Sequence, residues 1–256
     1  MIKTVSAYGV DLAGYSSKGK SQVAKVSSFE NGVGRYLAAK IIPTTLLQGY
    51  KGDENLADAI ARDVKVFSQL ISNGGICAVD VPIDLQGLNE FSSQNKTHIW
   101  EATKRPIDYL LGALPPLADR IGAVVTRMQL IMKHFPNELG RSIFETYPAG
   151  TLAFLGKKQQ YKDSKAIWQG SKWVPKKEEQ KGLANMLNDL DFIGVDGQQI
   201  TDDQFDAIIS AIPLLCQPRL MGPALIKHPS LAKKTLELPE GFILCGEKFW
   251  SRVEVI

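Results

Sequence analysis

Three segments in the first forty residues have the pattern of β-strands, and their arrangement restricts the fold more than any other feature. The segments are SAYGVDLAG (6–14), QVAKVSSFE (22–30) and GRYLAAKIIP (34–43). Asn31-Gly32 separates the second segment from the third, and this dipeptide is a strong signal for a tight turn between antiparallel strands. The chain therefore begins with an antiparallel meander.

A helix and a buried strand are predicted next. The helix begins at an N-cap residue, Asp53, and ends at Asn73-Gly74-Gly75. Its apolar stripe has helical spacing and consists of Leu56, Ile60, Val64, Phe67 and Leu70. The strand GICAVDVPI (75–83) follows the helix directly.

Further helices and strands alternate along the rest of the chain. Residues 98–135 are predicted to be helical, with breaks near Pro106 and at Pro115-Pro116, and RSIFETYP (141–148) is a short strand. A helix over about 181–190 is followed by another, which opens with the capping box from Thr201 to Gln204. The final segment, GFILCGEKFWSRVEVI (241–256), contains two more strands.

This order, β-β-β-α-β-α-β-α with late strands, predicts an α/β fold with a mixed sheet and helices packed on it. The sequence of 256 residues contains no internal repeat and no low-complexity linker. A single domain over residues 1–256 is therefore expected, and a chain of this length can bury a core without disulfides.

Composition indicates a cytoplasmic protein. The three cysteines, Cys77, Cys216 and Cys245, are far apart in apolar contexts, which is typical of reduced core residues. The N-terminal residues lack the apolar core of a signal peptide, and no apolar stretch is long enough for a membrane span. We therefore expect no membrane partner.

Acidic residues recur near the ends of the predicted strands. Asp11, Asp80 and Glu145 each follow an apolar run and come shortly before a glycine or proline that ends the strand. A fourth acid, Asp206, lies in the second turn of the helix that opens at Thr201. Strand ends at one edge of a sheet are common positions for ligand sites in α/β folds.

These four carboxylates predict a metal site if they converge. Converging carboxylates repel one another, and Mg²⁺ or Mn²⁺ removes that conflict because these ions prefer oxygen ligands. Two such ions can activate a water and stabilise the leaving oxygen in phosphodiester hydrolysis. The alternative is that each acid is a structural or surface carboxylate, and the sequence leaves both interpretations open.

The same segments resemble a family of predicted nucleases with a ribonuclease H-like fold. The resemblance covers most of the chain and is carried, in order, by GVDLAG, AVDVPI, ETYPAGTLAFLG and DDQFDAIISAI. Its most specific part is ETYPAG followed by YKxxxxxW, in which the named positions are Tyr161, Lys162 and Trp168. The resemblance implies a ribonuclease H-like mixed sheet with helices on both faces.

The resemblance also implies a set of site residues. In that fold the first strand, the fourth strand and a late helix supply metal-binding aspartates, which correspond here to Asp11, Asp80 and Asp206. Glu145 is the additional acid of the family, either as a metal ligand or as a residue that orients the site. Arg105 matches the basic position before a helix, and we group it with the substrate-binding residues.

A basic segment, residues 156–181, contains eight lysines and three acids and carries a net charge of +5, whereas the rest of the chain carries −2. Lysines neutralise nucleic-acid phosphates, and exposed aromatic side chains stack on unpaired bases. Among these lysines, Lys162 and Lys165 are taken as the candidate substrate-binding residues. Trp168 and Trp173 are interpreted as anchoring a solvated insertion to the core.

Residues 14–21 match the GxxxxGKS pattern of a phosphate-binding loop. That loop requires a helix to begin at its Lys-Ser, with the helix N-terminus directed at phosphate. Here the following residues read as a strand that leads to the Asn31-Gly32 turn. A lysine-bearing hairpin tip near Asp11 is therefore predicted instead.

The sequence thus predicts a nuclease that uses two Mg²⁺ or Mn²⁺ ions and has nucleic acid, DNA or RNA, as its partner. One alternative is an actin-like phosphotransferase that binds ATP, because a strand-one aspartate beside a glycine-rich hairpin also holds nucleotide in that class. The other alternative is a nucleic-acid-binding protein without catalytic activity.

Overall fold

The structure is a computed structural model. It describes residues 3–15, 21–31, 34–43, 54–86, 88, 103–164, 167–169, 172–174, 180–194, 200–216, 219–227, 235–245 and 254–255.

Five strands form the main sheet, which is mixed. They are β1 (Lys3–Asp11), β2 (Gln22–Asn31), β3 (Gly34–Ile42), β4 (Cys77–Val79) and β5 (Ile143–Glu145). Their order across the sheet is β3-β2-β1-β4-β5. The first three strands pair antiparallel, and β1, β4 and β5 are parallel to one another. The predicted α/β class with a mixed sheet is confirmed.

Seven α-helices are present in the described part of the chain. They are α1 (Leu56–Ile71), α2 (Pro106–Leu111), α3 (Asp119–Met132), α4 (Pro148–Phe154), α5 (Lys158–Ser164), α6 (Gln180–Asn188) and α7 (Asp202–Leu215). The breaks predicted at the prolines are confirmed, because α2 begins at Pro106 and α3 begins after Pro115-Pro116. Residues 98–102 of the predicted helical stretch lie outside the described residues.

Shorter strands form three small sheets. They are β6 (Ile167–Gln169), β7 (Lys172–Val174), β8 (Arg219–Met221), β9 (Ala224–Lys227), β10 (Thr235–Leu238), β11 (Ile243–Cys245) and β12 (Glu254–Val255). β6 pairs with β7, β8 pairs with β11, and β9 lies between β10 and β12. The two predicted late strands correspond to β11 and β12.

Local sequence signals explain the bounds of several elements. Asn31 pairs with Gly34, as expected for a hairpin with a two-residue connection. Thr201 and Gln204 form the predicted capping box, in which each side chain accepts a hydrogen bond from the other residue's amide. The N-cap of α1 is Asn55, whose side chain accepts from the amide of Asp58, whereas the predicted cap, Asp53, lies outside the described residues.

The buried face of α1 differs from the predicted stripe. Of the stripe residues, Phe67 and Leu70 are buried, whereas Leu56 is 45% exposed. An acid, Asp63, is completely buried on the same helix. The buried Asp63 requires a partner, which is described below.

Helices cover both faces of the main sheet. On one face, Ala7, Ala78 and Phe144 of the strands share a buried cluster with residues of α7, α6 and α4. On the other face, Val10 and Val79 share a cluster with residues of α1 and α3. Side chains alternate between the two faces along each strand, so a residue's position in a strand determines which helices it meets.

Cys77 is buried with a free thiol, and burial raises its pKa to about 12. Cys216 is half-buried, and the side chain of Cys245 lies outside the described residues. Within the described ranges no helix is long and apolar enough to span a membrane.

Candidate active site

Asp11 and Asp80 lie side by side at the carboxyl ends of β1 and β4. Gly9 pairs with Ala78 and Val10 with Val79, and the amide of Asp80 donates to the carbonyl of Val10 at 2.9 Å. The next position along both strands brings the two aspartates into one row. The alternation along the strands directs both toward the face covered by α7, and both side chains are half-buried. The sheet therefore unites two of the predicted site residues.

Glu145 is displaced from this row by one residue. It pairs with Val79 rather than with Asp80. A shift of one residue in a strand places a side chain on the opposite face of the sheet. The residue aligned with Asp80 is Thr146, whose amide donates to the carbonyl of Val79 at 3.0 Å. The predicted equivalence of the three strand-end acids thus fails for Glu145.

Arg105 binds Glu145 and Asp108 in a buried network. Nη1 and Nη2 of Arg105 donate to the two carboxylate oxygens of Glu145 at 2.9 and 2.6 Å. Nε and Nη2 donate to Asp108 at 3.1 and 2.9 Å, and Nη1 also donates to the Asp84 carbonyl at 2.6 Å. All five N–H groups of the guanidinium therefore have acceptors within the protein.

Burial and pairing act in opposite directions on the pKa values of this network. Burial raises the pKa of Glu145, while Arg105 and the amide of Ile83 act to lower it. Burial opposes the charge of Arg105, but Glu145 and then Asp108 raise the pKa of the guanidinium. Arg105 consequently stays charged, and the proton affinity of Glu145 exceeds that of an ordinary glutamate.

Asp206 reaches the same region from α7. This helix crosses β1 at Gly9, where an added Cβ would overlap the carbonyl oxygen of Ala207 and lie 2.7 Å from the nitrogen of Ala211. The missing side chain at Gly9 therefore permits close contact between helix and strand. Asp206, one residue before Ala207, is 7% exposed.

Tyr161 of α5 binds Asp206, and sequence reasoning gave it no role in the site. Its hydroxyl donates a hydrogen bond to Oδ1 of Asp206. Burial raises the pKa of Tyr161 well above its ordinary value, and Asp206, Asp80 and Asp11 raise it further. One hydroxyl group thus lies in the electrostatic field of all three carboxylates. The available signal was its place in the YKxxxxxW motif.

The basic segment contributes helix α5 and the hairpin of β6 and β7. Tyr161 is buried at 4% exposure and stacks on Phe205 with ring centroids 5.6 Å apart, so it is a core residue and not a platform for bases. Lys162, the next residue, is exposed. Lys165 and the side chains of Trp168 and Trp173 lie outside the described residues.

A second buried ion pair holds the connection between β1 and β2. Arg127 of α3 binds Asp63 of α1 through Nη2 and Nε at 2.7 and 2.8 Å, and both side chains are fully buried. Arg127 also donates to the carbonyl of Ala13 at 2.6 Å, and the hydroxyl of Tyr15 donates to Asp63 at 2.8 Å.

Residues 16–20 of the GxxxxGKS pattern lie outside the described residues. The pattern leads into β2 and not a helix, as predicted.

A cavity of about 220 Å³ opens at the carboxyl ends of β1, β4 and β5. Asp11, Asp80 and Glu145 line it together with apolar residues of α2 and α3 and with Phe242. Asp206 is absent from its lining. The cavity therefore lies beside the row of Asp11 and Asp80, at the edge where parallel strands form ligand sites.

Carboxylates are the right ligands for a hard divalent cation, and the three aspartates supply only oxygen donors. Within the described ranges, no three His, Cys, Asp or Glu side chains are arranged so that together they hold a metal ion.

No family model matches the chain, and neither a curated protein nor a solved structure shows significant similarity to it.

Proposed function

We propose that the protein is a divalent-metal-dependent nuclease that hydrolyses phosphodiester bonds in nucleic acid at Asp11, Asp80 and Asp206. The observation that carries this proposal is the register of β1 and β4, which sets Asp11 and Asp80 side by side at the carboxyl ends of two parallel strands. Neighbouring carboxylates repel one another, and a divalent cation relieves that repulsion. Two adjacent strand-end aspartates therefore favour a cation site over unrelated surface acids.

The order of the strands supports a ribonuclease H-like fold for this site. The first and fourth strands are neighbours in the sheet, so their terminal aspartates are adjacent. A late helix adds the third aspartate, as the resemblance to the nuclease family implies. The same sheet also suits proteins of other function, so the proposal depends on the aspartates more than on the fold.

Mg²⁺ and Mn²⁺ fit the donor set because both prefer carboxylate oxygens. Two such ions, when bound, would activate a water and stabilise the leaving oxygen of an in-line displacement. Asp11 and Asp80 are the proposed direct ligands. Asp206 completes the set, and the hydrogen bond from Tyr161 orients its carboxylate. No protein nucleophile is required.

Glu145 and Arg105 take supporting roles in this proposal. Both oxygens of Glu145 accept hydrogen bonds from Arg105, and one of them also accepts from the Ile83 amide at 2.7 Å. Every N–H of the guanidinium is already used, so Arg105 cannot bind phosphate without breaking a buried hydrogen bond, and three hydrogen bonds hold the Glu145 carboxylate in place. We therefore propose that Arg105 and Glu145 stabilise the strand ends, and that exposed lysines such as Lys162 bind the substrate phosphates.

The experiment that tests the proposal compares wild type with Asp11→Asn and Asp58→Asn. Single-stranded DNA and RNA oligonucleotides are incubated with each protein in Mg²⁺, Mn²⁺ or EDTA. Asp11→Asn removes a proposed ligand, so cleavage should fall by more than the roughly 10–100-fold typical of changes around a metal ligand. Asp58 is an exposed acid in the first turn of α1, and Asp58→Asn should cleave as wild type does.

Three outcomes would contradict the proposal. Equal cleavage by wild type and a correctly folded Asp11→Asn variant would remove the aspartates from the reaction. Absence of cleavage, with nucleic-acid binding that is indifferent to metal and weakens steeply with salt, would favour a non-catalytic binding protein. Micromolar binding of ATP with Mg²⁺, measured by calorimetry, would favour a phosphotransferase instead.

A further inference from the structure

Asp11 is the last residue of β1, so strand pairing secures the chain only on the N-terminal side of this aspartate. Val10 pairs with Val23, Asp11 pairs with Gln22, and the strand then ends. The ends of secondary-structure elements open locally at little free energy unless other contacts hold them. The position of this proposed metal ligand therefore depends on what holds the chain just beyond it.

A hydrogen bond joins the two ends of the connection between β1 and β2. The amide of Ala13 donates to the hydroxyl of Ser21 at 2.9 Å, and Ser21 is buried. Ala13 comes two residues after Asp11, and Ser21 comes directly before Gln22, the partner of Asp11 in the ladder. Asp11 consequently lies between the body of the hairpin and a hydrogen bond that closes its open end.

The buried pair of Arg127 and Asp63 binds the same connection. Nη1 of Arg127 donates to the Ala13 carbonyl at 2.6 Å and to the Ser21 hydroxyl at 3.4 Å. The Asp63 carboxylate accepts a hydrogen bond from the Tyr15 hydroxyl at 2.8 Å, and the centroid of the Tyr15 ring lies 4.5 Å from Cζ of Arg127. One ion pair thus contacts three residues of the connection, through charge-assisted hydrogen bonds and a cation–π contact.

The connection also packs directly on α3, the helix that carries Arg127. A Cβ added at Gly14 would lie 3.2 Å from the Cβ of Ala123, so the bare glycine permits this close contact. Ala123 is one helical turn before Arg127. Close packing and directional hydrogen bonds therefore hold the same segment against the same helix.

The free energy of unfolding alone does not explain a buried ion pair at this position. Both side chains are fully buried, and the desolvation of two charges offsets much of their attraction. Hydrophobic residues of similar volume often give equal or greater stability. They cannot supply the hydrogen bonds to Ala13, Ser21 and Tyr15. The pair is therefore better explained by the position of the segment that it binds.

We propose that Arg127 and Asp63 are positioning residues for the cation site: they hold the β1–β2 connection so that Asp11 stays beside Asp80. The inference rests on the proposed nuclease function and adds two residues to it. Arg127 acts through the main chain at Ala13, two residues from the proposed ligand, and has no chemical role in the reaction. Loss of the pair should weaken cation binding in a protein that remains folded.

The test uses the double variant Asp63→Val/Arg127→Met, which removes both charges together. No unpaired buried charge remains, so the urea midpoint should stay close to that of wild type. Ser21→Ala is a second variant, which removes the hydroxyl that binds Ala13 and retains the ion pair. Leu70→Ala is the control, because it creates a cavity on the same helix as Asp63 and lowers stability without removing a hydrogen bond to the connection.

Amide hydrogen exchange in EDTA, resolved by NMR, tests the contact without any metal. The Ala13 amide should exchange at least about tenfold faster in the double variant and in Ser21→Ala. The Tyr8 amide, which donates to the Ile76 carbonyl from the same strand, should be unchanged. Leu70→Ala should leave the ratio of the two exchange rates as it is in wild type, because global unfolding exposes both amides together.

The affinity for Mn²⁺, measured from the EPR signal of the free ion, tests the positioning role. Changing a group that orients a metal ligand typically weakens metal binding about 10–100-fold. Arg127 acts through the main chain, so we expect the lower end of this range for the double variant, and Leu70→Ala should bind as wild type does. In the cleavage assay the loss should diminish at high Mn²⁺, because the proposed ligands are intact.

The outcomes separate this inference from the proposed function. If wild type binds Mn²⁺ and the double variant binds it equally well, or if the Ala13 amide stays protected, the positioning role is overturned and the nuclease function stands. If the double variant binds Mn²⁺ more weakly but wild type cleaves no nucleic acid, the positioning role is supported and the nuclease function fails. Wild type that binds no Mn²⁺ overturns both. If the double variant does not fold, Ser21→Ala decides by the same comparisons.

Discussion

Replacing Arg105 with methionine removes the one cation that, among the described residues, pairs with Glu145 and Asp108. Arg105 is 1% exposed and donates five side-chain hydrogen bonds, four of them to these two carboxylates. Methionine fills a similar volume without charge. In the variant each carboxylate keeps one backbone donor, the amide of Ile83 for Glu145 and that of residue 105 for Asp108.

The expected loss of stability is large. Removing one partner from a buried ion pair costs about 3–5 kcal/mol, because the remaining charge has no counterion and little water. The retained backbone donors do not supply a charge, so we expect a value within this range. With a urea m-value of about 3 kcal/mol per molar, the unfolding midpoint should fall by roughly 1–1.7 M.

Lys157→Met is the matched control. The Lys157 Nζ–Asp189 Oδ2 distance and the Arg105 Nη2–Glu145 Oε1 distance are both 2.6 Å, but the lysine pair is exposed to solvent. Exposed ion pairs contribute little, so the control midpoint should equal that of wild type. A loss of less than about 1 kcal/mol in Arg105→Met would refute the reasoning that this buried pair holds the strand ends.

The loss should also depend on pH. Burial raises the pKa of Glu145, and Arg105 lowers it. Arg105→Met removes the lowering effect, so the pKa of Glu145 in the folded variant is higher than in folded wild type. A group whose folded pKa exceeds its unfolded value contributes stability below the unfolded pKa and loses it as the pH rises through the folded one. The difference between wild type and Arg105→Met should therefore be larger at pH 8 than at pH 5.

Two further substitutions test the contacts that bring Asp206 to the strand ends. Gly9→Ala should destabilise by at least about 3 kcal/mol in urea denaturation, because its Cβ would overlap the backbone of α7. Gly34→Ala, whose Cβ would meet only Tyr36 at 3.6 Å or more, should be neutral, and equal effects would discount the close contact. Tyr161→Phe should cost about 1–3 kcal/mol because Asp206 loses a buried donor. An unchanged midpoint would argue against that hydrogen bond.

Short-range patterns predicted much of the main sheet. The Asn31-Gly32 signal depends on residues that are neighbours in the chain, and the hairpin of β2 and β3 forms as expected. The capping box at Thr201 is also local, and it fixed the start of α7. Strands β8, β9 and β10 were not predicted, because three or four residues are too few for a recognisable alternation.

The candidate site was harder to predict because it depends on register. Asp80 and Glu145 occupy similar places in their own strands, but β4 and β5 are joined by more than sixty residues, and no local signal sets their alignment. A difference of one residue directs Glu145 away from Asp80 and brings Thr146 into line with it. Arg105 and Glu145 are 40 positions apart, so their pairing also has no local signal in the sequence.

The link from Arg127 to Ala13 has a consequence for synthesis of the chain. The two residues are 114 positions apart, although Ala13 belongs to the turn that leaves the first strand. At about 5–20 residues per second, a ribosome needs roughly 6–23 s to add that length. During this interval the β1–β2 connection beside Asp11 has emerged without the arginine that anchors it. The nascent hairpin therefore precedes its anchor, and the region around Asp11 acquires its final form only after α3 has been made.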